Sequence, residues 1–322
     1  MRRALLATAL IACGDGARHV YPLDGTLRLD QIQAKGTHNS YHVITPTAPP
    51  HLQYGQASLT EQLEHQGVRH FELDLYFFDA GPDAPHNQVH HLPYDWATTC
   101  ERLSGCLDEA ARWSRAHPDH APLLFLLEPK DELQAARVTP FFDTLEAEVV
   151  TAFGRDAILT PARVQGADAT LRAAVVGRGW PTLGELRGQV LFVLLNGDAF
   201  RTAYRARANP LFFVLADPGD PDEAIRSYDD PVAQGAEIRA AVADHLLVRT
   251  RADADTIEAK AGDRGRAEAA LASGAQLIST DYPVPYAPTG YVFDIPQGTP
   301  SRCNPVSAPP ACTSADVEAR DD

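Results

Sequence analysis

The 322-residue chain predicts an α/β fold, a single (β/α)8 TIM barrel, and three observations carry that expectation. Eight short runs rich in Val, Leu, Ile and Phe are spaced along the chain. Stretches of helical length and periodicity separate most of them. Several of the runs are apolar on both faces, as strands covered by helices should be.

In chain order, the first strand is expected over 31–35 and ends at Gly36, where a glycine allows the backbone an unusual dihedral. The second spans 68–76 and the third 88–92, with a helix over 101–116 behind it. The fourth, over 122–128, contains Leu123-Leu124-Phe125-Leu126-Leu127 and is followed by a helix over 140–153. The fifth, over 190–196, is as apolar as the fourth. The sixth and seventh, over 211–216 and 245–250, precede helices over 231–244 and 255–273, and the eighth spans 276–280. Shorter helices open with cap-like residues at Thr60 and Thr182. Residues 155–188 hold short helices and loops that make the barrel irregular. No internal repeat is present.

The barrel is expected over 29–290, as one domain. Residues 1–12 read as a signal peptide, with Arg2-Arg3 before an apolar run too short to span a bilayer. That run ends in Leu10-Ile11-Ala12-Cys13, which resembles a bacterial lipobox; lipid on Cys13 would anchor an exported protein to a membrane. An ordinary secretory signal is the alternative. Residues 13–28 form a linker, and 291–322 a Pro-rich tail. With Cys13 set aside, four of the five cysteines remain, as Cys100/Cys106 and Cys303/Cys312. Local pairing into two disulfides suits an oxidising compartment. The formal charge of −15 argues against nucleic acid, whose phosphates are bound by basic residues.

Barrel enzymes place their sites at the C-terminal ends of the strands, so each strand is read for its last polar residues. After the first come His38 and Asn39, a proton carrier and a neutral oxygen ligand. On the second, Glu72 and Asp74 share one face at period two, where two carboxylates call for a cation between them. His90-His91 closes the third, and adjacent strand residues point opposite ways, so one of the two faces the mouth. Glu128 and Lys130 close the fourth, either as a rim ion pair or with Glu128 completing an all-oxygen ligand set with Asn39, Glu72 and Asp74. Such a set suits Ca²⁺, or less well Mg²⁺. Arg249 and Arg251 close the seventh, either holding a phosphate or balancing Asp253 and Asp255. Asn196 and Asp281 close the fifth and eighth, as further substrate or supporting contacts.

These stretches together resemble the bacterial calcium-dependent phosphatidylinositol-specific phospholipase C family: Lys35-Gly36-Thr37-His38-Asn39-Ser40-Tyr41, Phe71-Glu72-Leu73-Asp74, His91-Leu92-Pro93, Leu126-Leu127-Glu128, Arg249-Thr250-Arg251-Ala252-Asp253 and Ser279-Thr280-Asp281-Tyr282-Pro283. The resemblance implies catalytic histidines at His38 and His91, and Ca²⁺ ligands at Asn39, Glu72, Asp74 and Glu128. It implies cleavage of a phospholipid phosphodiester, with His38 taking a proton from the inositol 2-hydroxyl and His91 protonating the leaving oxygen. Lys130, Arg249, Arg251, Asp281 and Asn196 are the expected substrate contacts. Glycerophosphodiester phosphodiesterases share the Glu-x-Asp strand and a histidine pair, but generally begin with His-Arg-Gly. A lipid-anchored binding protein without turnover is the alternative of another class.

Overall fold

The computed structural model describes residues 19–93, 95–132, 134–196, 199–297 and 300–318. The signal segment and Cys13 lie outside them. Ten strands form one sheet: β1 (Ile32–Thr37), β2 (Val68–Phe78), β3 (His86–Val89), β4 (Leu123–Pro129), β5 (Val190–Leu194), β6 (Phe213–Val214), β7 (Ile225–Ser227), β8 (Leu247–Arg251), β9 (Leu277–Thr280) and β10 (Ser301–Cys303). Eight of them run parallel in the order β6-β5-β4-β2-β1-β9-β8-β7, a nearly closed barrel flanked by helices. The seam lies between the short strands β6 and β7. Among the described residues no helix is long and apolar enough to cross a membrane.

The barrel contains eight strands as expected, but one expected member is replaced. Residues 88–92 do not form a barrel strand: β3 is a hairpin arm that pairs antiparallel with Leu75–Phe78. β2 is 11 residues long and overshoots the barrel, so its projecting end takes β3 as a partner. The eighth barrel position is filled by β7, whose Ile-Arg-Ser sequence is too short and polar to show a strand pattern. The single helix expected over 255–273 is two helices, Ile257–Ala261 and Gly265–Ser273, divided where Gly262 turns left-handed at φ 66°.

Gly36 also departs from expectation. It lies inside β1 and is not left-handed; the turn beyond the strand is made by Asn39, at φ 42°. What requires a glycine at 36 is space, because a Cβ there would overlap the imidazole of His70 on β2.

Alternation sorts the strands into two faces. Phe71, Leu73 and Leu75 join Leu123, Phe125 and Leu127 in a core against the helices Leu103–Ala116 and Ala135–Phe153. The opposite parity on β2 (His70, Glu72, Asp74) faces the lumen, so three polar residues occupy positions where neighbouring strands carry Leu124, Leu126, Leu191 and Val193. At the other end of the barrel, β10 pairs antiparallel with Ile32–Ala34 of β1. Disulfides join Cys100 to Cys106 and Cys303 to Cys312.

Candidate active site

The turn after β1 is pinned on both sides before its side chains act. The Ser40 N–H donates to Glu72 O at 2.9 Å, and the Glu72 N–H donates back to Ser40 Oγ at 2.8 Å. The Gln62 amide donates to Ser40 O at 2.6 Å, and the His38 N–H donates to Thr280 O at 3.1 Å. The catalytic candidates therefore sit on backbone tied to β2 and β9. Asn accepts the left-handed conformation at 39 with less penalty than most residues.

Glu72, Asp74 and Glu128 bring one carboxylate oxygen each to within 4.8 Å of one another. Asp74 and Glu128 are direct neighbours in the β2–β4 register. Lys130 Nζ lies 2.7 Å from Glu128 Oε1 and 3.2 Å from Asp74 Oδ2. Glu72 is held from the other side by Arg249, whose Nη2 donates to Oε2 at 2.7 Å. Arg249 also donates to Ser279 Oγ and pairs with Asp229, so it is fully engaged. Neither Asp74 oxygen has a well-directed hydrogen bond. Burial raises the Asp74 carboxyl well above its ordinary range; Lys130 opposes that rise, and Glu128 and Glu72 add to it. Burial works against the Lys130 ammonium, but Asp74 and Glu128 outweigh it and raise its pKa.

A hard divalent cation fits this donor set: three clustered carboxylates, one with both oxygens buried and poorly satisfied. Asn39 adjoins it. Its Nδ2 donates to Tyr54 Oη at 2.9 Å, and its Oδ1 lies 3.5 Å from the Tyr41 hydroxyl, which also interacts with Asp74.

His38 stands beside the acids with its two nitrogens in different surroundings. Nδ1 is 2.7 Å from Asp281 Oδ1, and Nε2 is 3.8 Å from Glu72 Oε1. Since a carboxylate accepts, Nδ1 carries the hydrogen and Nε2 presents its lone pair towards the acid cluster. Asp281 is itself held by Arg251 Nη2, 3.0 Å from Oδ2. Its backbone N–H donates to Asp253 Oδ1 at 2.7 Å. Burial, then the charge of Arg251, hold the His38 pKa well below the usual imidazole range, with Glu72 pulling the other way. Burial raises the Asp281 carboxyl in spite of Arg251, which makes it the stronger acceptor for His38.

The histidine doublet separates in space. The His90 ring is stacked between Tyr76 and Trp96, at 3.9 Å from each ring centroid. His91 turns the other way, with Nδ1 3.7 Å from Asp95 Oδ2. Its ring centroid is 6.4 Å from that of His42, and His42 packs on Tyr54, which in turn reaches Asn39 and His38. Burial, then Lys130, lower the His91 pKa to about 4, against Asp95.

The site-residue candidates thus form one connected group, joined through the backbone between Glu128 and Lys130 by Asn196. Its amide donates to Pro129 O at 3.0 Å and braces β5 against the end of β4. Sequence reasoning gives no site role to Tyr54, whose hydroxyl is 3.2 Å from His38 Nδ1, to Asp95, 3.7 Å from His91 Nδ1, or to Asp253, which accepts from the Asp281 N–H. Asp95 and Tyr54 lie in loops without a strand pattern to place them. His42, just beyond the 35–41 stretch, has no role that the sequence pattern assigns. Asp253, in the Arg-x-Asp that ends the 249–253 stretch, reads in sequence as part of that stretch and as a charge balance for the arginines.

The family model for phosphoinositide phospholipase C, Ca²⁺-dependent, matches residues 83–305, more than half of the chain. The match includes His91, Glu128 and Asp281 and begins after His38, Asn39, Glu72 and Asp74. No curated protein matches the chain. Among solved structures, the calcium-dependent phosphoinositol-specific phospholipase C from Pseudomonas sp., a Gram-negative bacterium, is similar in its myo-inositol complex. It superposes with a TM-score of 0.61 at 17% identity, over 88% of this chain and 97% of that one. The Ca²⁺-dependent phosphatidylinositol-specific phospholipase C from Streptomyces antibioticus gives 0.56 at 21% identity, over 80% and 95%. At these identities the structures establish a shared barrel fold. The family match establishes more: this chain belongs to the Ca²⁺-dependent phosphoinositide phospholipase C family.

Proposed function

We propose that this protein is a calcium-dependent phosphodiesterase that cleaves an inositol phospholipid by internal attack of the hydroxyl next to the phosphate. One observation carries the reading: His38 is fixed through Nδ1 by Asp281 and presents Nε2 to the Glu72, Asp74 and Glu128 cluster, 3.8 Å from Glu72 Oε1. A base and a cation site thus share one end of the barrel.

In the first step His38 Nε2 removes the proton of the inositol 2-hydroxyl, whose oxygen then bonds to phosphorus. The bond to the diacylglycerol oxygen breaks, its electron pair leaves with that oxygen, and His91 supplies the proton. When held by Glu72, Asp74, Glu128 and Asn39, Ca²⁺ makes the attacking hydroxyl more acidic and offsets charge on the phosphoryl oxygens. Arg251, with its Nε unpartnered, is the guanidinium free to meet a phosphoryl oxygen. Arg249 holds Glu72 in place. Lys130 bridges Asp74 and Glu128 and keeps a third N–H for a phosphoryl oxygen. In the second step the roles reverse: His91 takes a proton from water, water opens the cyclic phosphate, and His38 returns its proton to the departing 2-oxygen. Each proton transfer contributes about 10²–10⁴ in rate.

Two disulfides support export to an oxidising compartment, and an acylated Cys13 would hold the enzyme at a lipid surface. The test compares wild type and His38→Ala, each with Ca²⁺ or EDTA, on phosphatidylinositol and on glycerophosphodiesters. Release of inositol phosphates by wild type with Ca²⁺ alone is expected. Equal activity in all samples, or turnover confined to glycerophosphodiesters, overturns the reading.

A further inference from the structure

The loop after β3 contains an acid that the mechanism above does not use. Asp95 is buried, and its Oδ2 lies 3.1 Å from Nε2 of the fully buried His42 and 3.7 Å from Nδ1 of His91. The other His42 nitrogen is 3.0 Å from Tyr54 O, a carbonyl that can only accept. Nδ1 of His42 therefore donates to that carbonyl, which leaves Nε2 facing Asp95 Oδ2. This fixes the carboxylate firmly. The Asp95 N–H donates to Leu92 O at 2.9 Å, and backbone bonds Val43 N to Ala97 O and Thr99 N to Tyr41 O tie its loop to the turn that carries His38. His91 Nδ1, by contrast, is buried and has no hydrogen-bond partner. The carboxylate oxygen of Asp95 lies 3.7 Å from it.

We infer that Asp95 is the positioning residue for His91: it receives the Nδ1–H of that ring, sets its tautomer and aims Nε2 at the leaving oxygen, with His42 as the anchor. The gap of 3.7 Å closes by less than 1 Å when His91 turns to meet substrate, a tightening common in catalytic pairs. During cleavage the Nε2 proton passes to the oxygen that leaves phosphorus, while Asp95 keeps its charge and stabilises the ring before transfer. In the same sense, the charge of Asp95 opposes the burial that drives protons off His91.

The inference rests on His91 being the acid, so the experiment separates the two claims. An alkyl leaving group needs a proton, whereas p-nitrophenolate leaves without one. Wild type, His38→Ala, His91→Asn, Asp95→Asn and the double variant His91→Asn/Asp95→Asn are assayed on phosphatidylinositol and on an inositol p-nitrophenyl phosphodiester. His91→Asn and Asp95→Asn are both expected to lose kcat on the lipid, Asp95→Asn by roughly 10–100-fold, with KM little changed. Both should nearly recover on the nitrophenyl ester, and the double variant should be no worse than His91→Asn. His38→Ala should be impaired on both substrates. If His91→Asn is equally impaired on both, His91 is not the acid. If His91→Asn recovers but Asp95→Asn does not, or if the two losses multiply, Asp95 does not act through His91. Should Asp95→Asn fail to fold, Asp95→Glu keeps the charge but moves it by one methylene. The same recovery on the ester is expected of it, and equal loss on both substrates overturns the inference.

Discussion

Replacing Lys130 by Met tests whether the acid cluster is balanced from within until a divalent ion arrives. The ammonium sits 2.7 Å from Glu128 Oε1 and 3.2 Å from Asp74 Oδ2, and only 22% of the side chain is exposed. Unit charges about 4 Å apart interact by about 4 kcal/mol at an effective dielectric of about 20. Desolvation of Asp74 and solvent at Glu128 offset much of that, leaving about 1–3 kcal/mol. A divalent ion that enters the cluster must overcome this pairing, so its removal should tighten Ca²⁺ binding by roughly 10–100-fold, at about 1.4 kcal/mol per decade. The metal-free variant should melt several degrees below metal-free wild type, and saturating Ca²⁺ should raise its melting temperature by more. Titration calorimetry of EDTA-stripped protein with CaCl₂ reads the first effect, and thermal unfolding with and without Ca²⁺ the second. Unchanged or weaker Ca²⁺ affinity in Lys130→Met would refute the reasoning, because the ammonium would then not compete for the same oxygens.

Other perturbations address the supporting structure. Asp281→Asn offers an amide N–H to His38 Nδ1 as readily as an acceptor and removes the Arg251 partner; kcat should fall by about 10²-fold or more, with an unchanged circular dichroism spectrum. Gly36→Ala drives a methyl into the His70 ring and should cost about 3 kcal/mol or more in urea unfolding, partly restored in Gly36→Ala/His70→Ala. His120 is buried, its Nδ1 donates to Ala121 O at 2.6 Å, its Nε2 accepts from Ser114 Oγ at 2.7 Å, and burial lowers its pKa to about 4. The unfolded chain binds that proton near pH 6.5 and the folded chain only near pH 4, so stability is present above pH 6.5 and is lost as pH falls towards 4. His120 alone should cost about 2 kcal/mol between pH 7 and pH 5, and His120→Gln should flatten the urea-unfolding profile by that amount. An unchanged pH slope would show that the ring is not buried neutral.

Most of the site was legible because barrel strands impose period two. His38, Glu72, Asp74, Glu128, Arg249, Arg251 and Asp281 all fall on the lumen parity at strand ends, and that regularity stands in the sequence. What lacked a repeating pattern could not be placed. His90 and His91 look like strand neighbours in sequence, but they lie beyond a hairpin, where stacking on Tyr76 and Trp96 rather than alternation decides which way His90 turns. β7 was missed because three residues carry no periodic signal. In sequence Gly36 suggests a backbone role that belongs to Asn39, since a sequence does not say that the glycine's neighbour across the strand is a full-sized imidazole. Asp95 required a tertiary contact with a histidine 53 positions away.

The pairing of β10 with the foot of β1 bears on how the protein reaches its native state. Ile32 is matched with Cys303, so the strand that leads into His38 gains one of its partners only when residues near the far end of the chain are available. β1 and β9 meet across a similar span. Loops this long make closure slow compared with local helix formation. A ribosome-bound chain lacking its last fifty residues would hold helices and part of a sheet but no finished cylinder. Such a chain would complete the end of the barrel that carries His38 only after its last strands were made.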